Sequence, residues 1–245
     1  MMPQKITEHL VKAGTLTVST INDIKPMIFQ NQHGQWDGYE VEILRKITKK
    51  INLDLNFIIE PFDKIWLSPQ AGNCDIAAAA LTILPSRISE NTQFTQPIFY
   101  LDQSLLIRTT DKGFLQDIKD FLGRTIGIIP GTTGEANAKA KAPKGTIFRE
   151  YADENTMLAS LELGQIDAIA RGTLGNSYQA QTNKAFTMIG IMPTGEKIAF
   201  AVSSQNNILA ELINQEILEM KKNGHLIEIY KKWFYYLDIP DDFKA

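Results

Sequence analysis

The chain has few of the residues from which metal and catalytic sites are most often built. It holds one cysteine, Cys74, and three histidines, His9, His33 and His225, whose spacing matches no metal site. A single cysteine excludes an internal disulfide and leaves the redox compartment open. With no histidine at a telling position, Cys74 is interpreted as a small turn or core residue. We therefore expect neither a metal nor a cofactor.

Excess charge and long apolar runs are also missing. The net charge is −3, so the composition does not predict binding to nucleic acid or to an anionic membrane. No apolar run approaches the roughly 20 residues that span a bilayer. The N-terminal sequence MMPQKITEHL lacks the apolar core of a secretion signal, so the protein is intracellular or a signal was removed. The 245 residues allow one large domain or two of ordinary size.

The most informative stretch is Asp75–Arg87, which reads DIAAAALTILPSR. Its small apolar run, Ile76–Leu81, predicts a strand buried on both faces of a parallel sheet. The run ends in Thr82, and Arg87 follows shortly after. Ligands of open α/β sheets lie outside the carboxyl ends of strands, and arginine offers a planar fork that matches a carboxylate. The pattern favours an anion site, and the alternative is a surface arginine in a weak salt bridge.

Predicted strands and helices alternate along the whole chain, which indicates doubly wound α/β structure. In the first half the strands are Leu16–Thr20 and Leu53–Ile59, with a helix over Tyr39–Ile51 between them. A second series then follows: helix Phe114–Leu122, strand Thr125–Ile129, helix Glu135–Ala142, strand Ile147–Tyr151, a helix from Asp153 to Leu163, and strand Asp167–Ala170. The end of the chain predicts strands Phe186–Met192 and Ile198–Val202, split by Thr194–Glu196, and then helices Asn207–Lys222 and Leu226–Tyr235.

Two short patterns connect the halves of the sequence to binding. Leu161-x-x-Gly-x-x-Asp167-Ala echoes the Gly-Asn-Cys-Asp75-Ile-Ala of the first half, so the halves resemble each other as βα modules. Thr132 and Glu135 have the spacing of a capping box. The backbone N–H groups at such a helix start can hold an anion, although a plain helix cap explains the same residues.

These features together resemble the family 3 extracellular solute-binding proteins, the polar amino-acid-binding components of ABC importers. The shared pieces run through nearly the whole chain: Gly34–Gly38 before an acidic helix start, Asp75–Ala77 with Thr82 and Arg87, Phe94 and Pro97, Gly127–Thr132, the Leu161–Ala168 motif, and Asn223-Gly224 followed by Lys232-Trp233. Their order and spacing, rather than any single piece, carry the resemblance.

The resemblance implies a periplasmic binding protein-like type II fold with two α/β lobes joined by two crossing strands. Lobe one would comprise residues 1–99 plus 200–245, and lobe two residues 100–199. The crossings would fall near Phe99–Gln103 and Met192–Ile198, and the ligand would bind between the lobes.

The family's binding residues map onto particular positions of this chain. Arg87 matches the arginine that binds the ligand carboxylate, and Thr82 matches a supporting hydroxyl. Ala79 and Ala80 fall where backbone contacts and often a serine hydroxyl occur, so that hydroxyl is missing here. The remaining matches are Phe62 as a stacking aromatic, Ile24 where a second aromatic often lies, and Thr132 and Thr133 as the carboxylate-gripping loop of lobe two.

The largest departure from the family is Gly172, where an acidic residue commonly pairs with the ligand ammonium. Either the ligand lacks a standard α-ammonium, or another acid replaces the missing one. The candidates are Asp23, Asp63, Asp102, Glu135 and Glu196. Neighbouring Arg171 is expected to be solvated, although a cation facing the ligand would repel an ammonium. We therefore expect neutral amino acids or amine-free carboxylates to bind better than basic amino acids.

The resulting prediction is a monomeric periplasmic protein, its signal removed, that captures a small carboxylate and delivers it to an ABC permease without any enzymatic activity. One alternative is an enzyme similar to the cyclohexadienyl dehydratase branch of the family, but the stretch Arg171–Gln179 lacks the acidic residue used there. Another is the ligand-sensing domain of a receptor cut from a longer chain.

Overall fold

The computed structural model describes residues 9–237 together with 239 and 243. The chain divides into two compact units. Unit one contains the described residues up to Tyr100 and those from Lys197 onward, and unit two is Leu101–Glu196. Both passages of the chain from one unit to the other lie inside long strands, Phe99–Arg108 and Phe186–Ile198.

Each unit mixes strands and helices, as expected for the α/β class. The strands are β1 Thr15–Thr20, β2 Asp23–Ile24, β3 Ile28–Gln30, β4 Trp36–Asp37, β5 Asp54–Ile59, β6 Ile76–Ala77, β7 Thr92–Phe94, β8 Phe99–Arg108, β9 Thr125–Ile128, β10 Ile147–Glu150, β11 Ala168–Gly172, β12 Phe186–Ile198 and β13 Ala201–Ser203. The α-helices are α1 Tyr39–Ile51, α2 Thr133–Lys141, α3 Glu154–Glu162, α4 Thr173–Thr182, α5 Asn207–Lys222 and α6 His225–Trp233. Short 3₁₀ segments include Phe62–Leu67, Pro85–Arg87 and Ile118–Phe121.

Unit one is built on a sheet with the strand order β5-β1-β6-β13-β7. Strand β1 runs parallel to β5 and β6, whereas β13 is antiparallel to both β6 and β7. All six residues of β1 are buried, which fits a strand covered on both faces. A small antiparallel sheet, β2-β3-β4, precedes α1.

Helix α1 is fixed to that small sheet by its first residues. Gly38, the residue before the helix, has φ 124°, and a Cβ there would lie 2.4 Å from the carbonyl oxygen of Met27. The Glu40 N–H donates to the same oxygen at 2.9 Å. Because only glycine permits this approach, the sequence Asp37-Gly38 places the start of α1 directly against the segment leading into β3.

Unit two is built on a second sheet with the strand order β10-β9-β11-β8-β12. Strand β9 is parallel to β10 and β11, and β11 is antiparallel to β8. Neighbouring residues of one strand enter separate apolar clusters: Ala168 packs with Ile126, and Ile169 packs with Met157. The sheet therefore has an apolar cluster on each face, as a doubly wound unit requires.

The echoed motifs of the two halves make the same contact in both units. In unit one, the Asp75 N–H donates to the Thr17 carbonyl at 2.9 Å, and the Asp75 carboxylate accepts the Thr17 N–H at 2.7 Å. In unit two, the Asp167 N–H donates to the Thr125 carbonyl, and its carboxylate accepts the Thr125 N–H, both at 2.8 Å. Each aspartate thus ties the residue before a central strand to the neighbouring strand.

Three predictions from the sequence are wrong in detail. The predicted strand Ile76–Leu81 pairs as a strand only at Ile76–Ala77, because Ala80 adopts φ 49° and turns the chain. The predicted helix Phe114–Leu122 is a 3₁₀ segment over Ile118–Phe121, capped by the Asp117 side chain. Strand β12 is continuous across Thr194–Glu196, where the Asp102 carboxylate accepts the N–H groups of Thr194 and Gly195.

One helix, α4, was not predicted. Its buried residues are Leu174, Asn176 and Ser177, so its inner face is largely polar and shows no apolar periodicity. In the part of the chain that the structure describes, no helix combines the length and the apolar character needed to cross a membrane.

Candidate functional site

The first group of candidate residues in unit one lies on the turn that follows β6. Strand β6 ends at Ala77, and the chain then turns through Ala80 before Thr82 makes a single antiparallel bridge with Ile198. Both ends of the turn are held by the backbone, because the Ala78 N–H donates to Ser19 and the Ile83 N–H donates to Lys197. The turn therefore presents a short, fixed stretch of backbone at the carboxyl end of a buried strand.

Arg87 is buried beside this turn. It ends the 3₁₀ segment that begins at Pro85, and only 4% of its surface is exposed. Its Nη1 donates to the Thr82 carbonyl at 3.2 Å, and its Cζ lies 4.6 Å from the ring centroid of Trp66 and 5.6 Å from that of Phe62. A guanidinium held over aromatic faces keeps its charge with little solvent. The alternative of an exposed surface arginine is therefore wrong.

Apolar residues complete this part of unit one. Ile24, Phe62 and Trp66 pack against one cluster of buried residues, which includes Ala79 and Leu81. Trp66, in the same 3₁₀ segment as Phe62, lies edge-on to it with the ring centroids 6.5 Å apart. Sequence analysis missed its contact with Arg87, although its i, i+4 spacing from Phe62 was a usable signal.

Glu40 is the functional candidate that sequence analysis missed in unit one. It was interpreted only as an acidic residue in the first turn of a helix. In the structure it is 0% exposed, and both its carboxyl oxygens lie 3.2 Å from the backbone nitrogen of Ala80. Burial raises the pKa of Glu40 to about 8, and the hydrogen bond from Ala80 partly opposes this rise.

In unit two, Thr132 and Thr133 stand at the start of α2, as predicted. Thr132 Oγ1 accepts the Glu135 N–H at 3.2 Å and donates to the Ile129 carbonyl at 2.7 Å, so its hydroxyl is already engaged. The Glu135 carboxylate accepts the N–H of Gly131 rather than that of Thr132. The ion pair with Lys139 and this bond lower the pKa of Glu135.

Thr133 belongs to a polar network that sequence analysis did not find. Its Oγ1 accepts from Nε2 of Gln103 at 3.0 Å, and the same nitrogen donates to Glu196 Oε1 at 2.6 Å. Gln103 is 1% exposed and belongs to β8. Its side-chain amide therefore links β8 to Thr133 of α2 and to Glu196 near the end of β12. Because Thr133 accepts this bond, its hydroxyl hydrogen can be donated to a ligand.

Gly172 ends β11 and immediately precedes α4. A Cβ at this position would lie 3.2 Å from Cδ1 of Leu101, so a side chain here requires a small shift of Leu101. At Gly172 the backbone therefore packs closely against an apolar residue.

The expectation that Arg171 is solvated is wrong. Arg171 forms an ion pair with Glu154 of α3, and the two side chains are only 16% and 25% exposed. It also lies over Gly175, where an added Cβ would come within 2.1 Å of its Nη2. Arg171 is therefore occupied by contacts inside unit two.

The five acids considered as replacements at Gly172 have different surroundings. Asp23 pairs with Lys25 at 3.0 Å, Glu135 pairs with Lys139, and Asp102 accepts two backbone N–H groups. Glu196 accepts from Gln103, and Asp63 is exposed. Glu135 therefore has both carboxyl oxygens engaged, whereas Asp23 and Asp102 use one oxygen each, and among the described residues the buried Asp23 Oδ1 has no hydrogen-bond partner.

Groups suited to metal or thiol chemistry are scarce in the described part of the chain. Across residues 9–237, 239 and 243, no group of three or more His, Cys, Asp or Glu side chains could hold a metal ion. Cys74 is buried, and burial raises the pKa of its thiol to about 12. A thiol in that state is a weak nucleophile.

The predicted site residues thus form two groups, one in each unit. Arg87, Thr82, Ala80, Phe62 and Ile24 lie in unit one, and Thr132, Thr133 and Gly172 lie in unit two. Two α/β units, each with polar groups at strand ends, define a protein of the small-molecule-binding class.

Comparison with known proteins gives the family. The family described as "bacterial extracellular solute-binding proteins, family 3" matches residues 16–236 of this chain. The chain therefore belongs to this family, which confirms the resemblance found in the sequence. Its similarity to the L-cystine-binding protein TcyJ of Escherichia coli (strain K12) is 26% identity over 222 residues, covering 90% of this chain and 83% of that protein.

Solved structures confirm the predicted type II fold. An ancestral arginine-binding protein bound to arginine is similar with a TM-score of 0.81 and 28% identity, covering 90% of this chain and 98% of that one. An ancestral amino acid-binding protein, a precursor of cyclohexadienyl dehydratase, is similar with a TM-score of 0.85 and 25% identity, covering 96% of this chain and 100% of that one.

Proposed function

We propose that this solute-binding protein captures an amino acid or a closely related small carboxylate and delivers it to an ABC importer. The observation that carries the proposal is Arg87, a nearly buried guanidinium beside a turn at the carboxyl end of a strand. A planar fork in such a setting suits a carboxylate, and low exposure strengthens the pairing. The solutes named for the relatives, cystine and arginine, are both amino acids.

The ligand would contact residues of both lobes. Lobe one, residues 1–99 plus 200–245, would supply Arg87, Thr82, the turn at Ala80, whose own N–H is already donated to Glu40, and the apolar side chains Phe62 and Ile24. Lobe two, residues 100–199, would supply the Thr133 hydroxyl at the start of α2, with Thr132, whose hydroxyl and N–H are engaged with Ile129, shaping the loop and with Gly172 as a further lining residue. Support comes from the division of the chain at Tyr100 and Glu196 and from the family fold.

The ligand would carry no extra positive charge. An ammonium that loses its water costs several kcal/mol unless a carboxylate compensates, and Gly172 offers none. Of the five alternative acids, Glu135 has both carboxyl oxygens engaged by groups of its own loop and helix. The aliphatic or small residues Ile21, Ile24, Ala79 and Ala80 also offer no counter-charge for a basic side chain, so neutral amino acids or amine-free carboxylates should bind better than lysine or arginine.

The remaining parts of the proposal concern the setting of the protein. It would act in the periplasm as a monomer that docks on the permease of its importer, since the family is extracellular. It would not be an enzyme. The similarity to a dehydratase precursor makes enzymatic activity the alternative to test, but the stretch Arg171–Gln179 contains no aspartate or glutamate to act as the acid.

A thermal-shift series tests the ligand class. Each amino acid is paired with its deaminated analogue, for example L-leucine with 4-methyl-2-oxopentanoate. A ligand at 100 times its Kd stabilises the folded state by about 2.7 kcal/mol. For a chain of this size we expect a rise in melting temperature of about 5–10 °C with the best neutral pair. Lysine and arginine should give little or none.

Two variants test which residues determine the thermal shift. Arg87→Ala should fold and lose the shift. Gly172→Asp, combined with Leu101→Val to make room, should gain binding of each amino acid but not of its deaminated analogue. Tight arginine or lysine binding that survives neutralisation of each of the five acids would refute the proposed ligand class. Steady turnover of a bound acid would instead support an enzyme.

A further inference from the structure

Glu40 is a buried carboxyl that the proposed binding contacts do not use. It is 0% exposed, and its backbone is held by the bond from its N–H to Met27. The close approach at Gly38 fixes where α1 begins. The Glu40 side chain is therefore directed into unit one by the fold itself rather than by a flexible surface helix.

The partner of Glu40 is a backbone group in a strained conformation. Both carboxyl oxygens lie 3.2 Å from the Ala80 nitrogen, and Ala80 has φ 49°. Within the described part of the chain, Asn52 is the one other non-glycine residue with positive φ. An alanine in this region is unfavourable, so the surrounding contacts must hold it there.

The turn that Ala80 occupies carries the candidate carboxylate-binding groups. Its ends are held by backbone hydrogen bonds of Ala78 and Ile83, and Glu40 holds its middle. Two residues beyond Ala80, the Thr82 carbonyl accepts from Arg87. Any rotation of the Ala80 peptide therefore alters the backbone that positions Arg87.

We propose that Glu40 is the positioning residue of this half-site: its carboxyl holds the Ala80 amide and so fixes the turn that presents Thr82 and Arg87. For its effect on binding, the proposal rests on the proposed function, in which a ligand carboxylate lies against this turn. Glu40 itself would not touch the ligand.

The protonation state of Glu40 should make ligand binding depend on pH. Its pKa of about 8 means that the carboxyl is mostly neutral at pH 7. Among the described residues, the phenol of Tyr39 beside it on α1 interacts with Glu40, and the phenol of Tyr230 on α6 interacts with Tyr39 in turn; burial is the main cause that raises the pKa of Tyr39. The carboxylates of Glu42 and Asp37, which are near Glu40 in the sequence, are paired with the cations Lys232 and Arg45.

Ionisation of Glu40 would place a negative charge behind Ala80. A ligand carboxylate on the other side of the turn would be repelled, so binding should favour the protonated form. If the bound ligand raises the pKa of Glu40 by about one further unit, affinity falls about fivefold between pH 7 and pH 9.

The first test needs no ligand, so it stands even if the proposed function fails. The amide proton of Ala80 is followed by ¹⁵N NMR from pH 6 to pH 10. We expect a titration with a midpoint between 7 and 9 in the wild type and in the control Glu42→Gln, which alters a carboxylate on the same helical turn. Glu40→Gln should abolish it. An Ala80 amide that does not titrate in the wild type, or that titrates equally in Glu40→Gln, overturns the proposal.

The second test measures binding by titration calorimetry at pH 7 and pH 9. The probe is 4-methyl-2-oxopentanoate, which has no group that titrates in this range. Glu40→Gln keeps an oxygen for the Ala80 N–H, so its affinity at pH 7 should stay within about threefold of the wild type, and its fivefold pH effect should vanish. Glu40→Leu removes the acceptor and should weaken binding at least about tenfold.

Wild-type affinity in a folded Glu40→Leu variant would overturn the positioning role, and so would a pH effect that persists in Glu40→Gln. If Glu40→Leu does not fold, the comparison of the wild type with Glu40→Gln decides. If the probe does not bind the wild type, the proposed function is in doubt and the NMR titration alone decides the role of Glu40.

Discussion

Contacts that hold Arg87 in its nearly buried position include one hydrogen bond and two aromatic rings. The Thr82 carbonyl accepts from Nη1, and the rings of Trp66 and Phe62 lie beneath the guanidinium. A desolvated cation over an aromatic ring gains about 2 kcal/mol or more. These contacts hold the charge in place before any ligand arrives, which lowers the cost of binding an anion.

Replacement of Arg87 by alanine tests this role. Removal of one partner of a desolvated charge pair costs about 2–5 kcal/mol. We therefore expect Arg87→Ala to weaken carboxylate binding by about 30-fold to several thousand-fold in titration calorimetry. Arg87→Lys, the matched control, keeps the charge but loses the fork and the stacking, so its affinity should fall between the two. A folded Arg87→Ala variant with wild-type affinity would show that the carboxylate binds elsewhere.

The sequence indicated Arg87 as an anion-binding candidate, which stays a prediction, but it did not indicate the residues that contact Arg87 or the turn beside it. A buried strand followed by an arginine can be recognised because its residues are close together in the sequence. The contact between Glu40 and Ala80 joins positions forty residues apart, and it depends on a positive φ at an alanine, which no periodicity indicates. For the same reason the pairing of Arg171 with Glu154 was missed: the alternation of side chains along a strand says nothing about the charges on the helix it faces.

The alternation of strands and helices was well predicted wherever apolar periodicity was strong. Helix α5, Asn207–Lys222, has the predicted bounds, and α1 begins and ends where the sequence indicated. The echo between Asp75 and Asp167 also corresponds to a real structural equivalence, because each closes a reciprocal pair of hydrogen bonds with a neighbouring strand. Prediction failed at α4, whose buried face is polar.

Helix α4 begins beside the Arg171–Glu154 ion pair, and the lack of a side chain at Gly175 leaves space for the Arg171 guanidinium. Arg171 lies so close that a Cβ at residue 175 would overlap its guanidinium. Two effects oppose each other in Gly175→Ala. Alanine favours the helix by about 1 kcal/mol. Displacement of Arg171 leaves Glu154 without its cation, although Gln179 Nε2 still donates to it; breaking an ion pair costs about 3–5 kcal/mol in a fully buried pair and less here, where both side chains are partly exposed.

We expect the loss of the ion pair to outweigh the helix gain, so Gly175→Ala should lower the free energy of unfolding by about 1–2 kcal/mol. In an Arg171→Ala background the sign should reverse, and the same change should stabilise the protein by up to about 1 kcal/mol. Chemical denaturation of the four proteins of this cycle measures both values.

Gly113→Ala is the matched control for general effects of glycine replacement, because a Cβ there meets no atom within 4 Å. Its stability should change by less than about 0.5 kcal/mol. If Gly175→Ala destabilises the protein equally in both backgrounds, Arg171 does not occupy the space above Gly175.

At the scale of the whole molecule, the chain connects its two units through two strands. The chain leaves unit one after Tyr100 and returns at Lys197, and both passages lie within continuous strands. The resemblance alone gave the lobe boundaries 99 and 199, since a strand pattern does not reveal where a strand changes unit. If the lobes move relative to each other, we expect a few residues near these two passages to absorb the change.

Ligand-induced closure is the prediction that follows. A ligand that contacts both lobes binds the closed state more tightly than the open one and shifts the population toward it. We expect small-angle X-ray scattering to give a smaller radius of gyration when the protein is saturated with the best compound from the thermal-shift series. Arg87→Ala at the same concentration should scatter like the ligand-free wild type, because it lacks the carboxylate contact that begins closure. Calorimetrically saturated wild-type protein with an unchanged scattering curve would mean that binding involves no closure, and the ligand would then be held by one lobe or by a rigid pair.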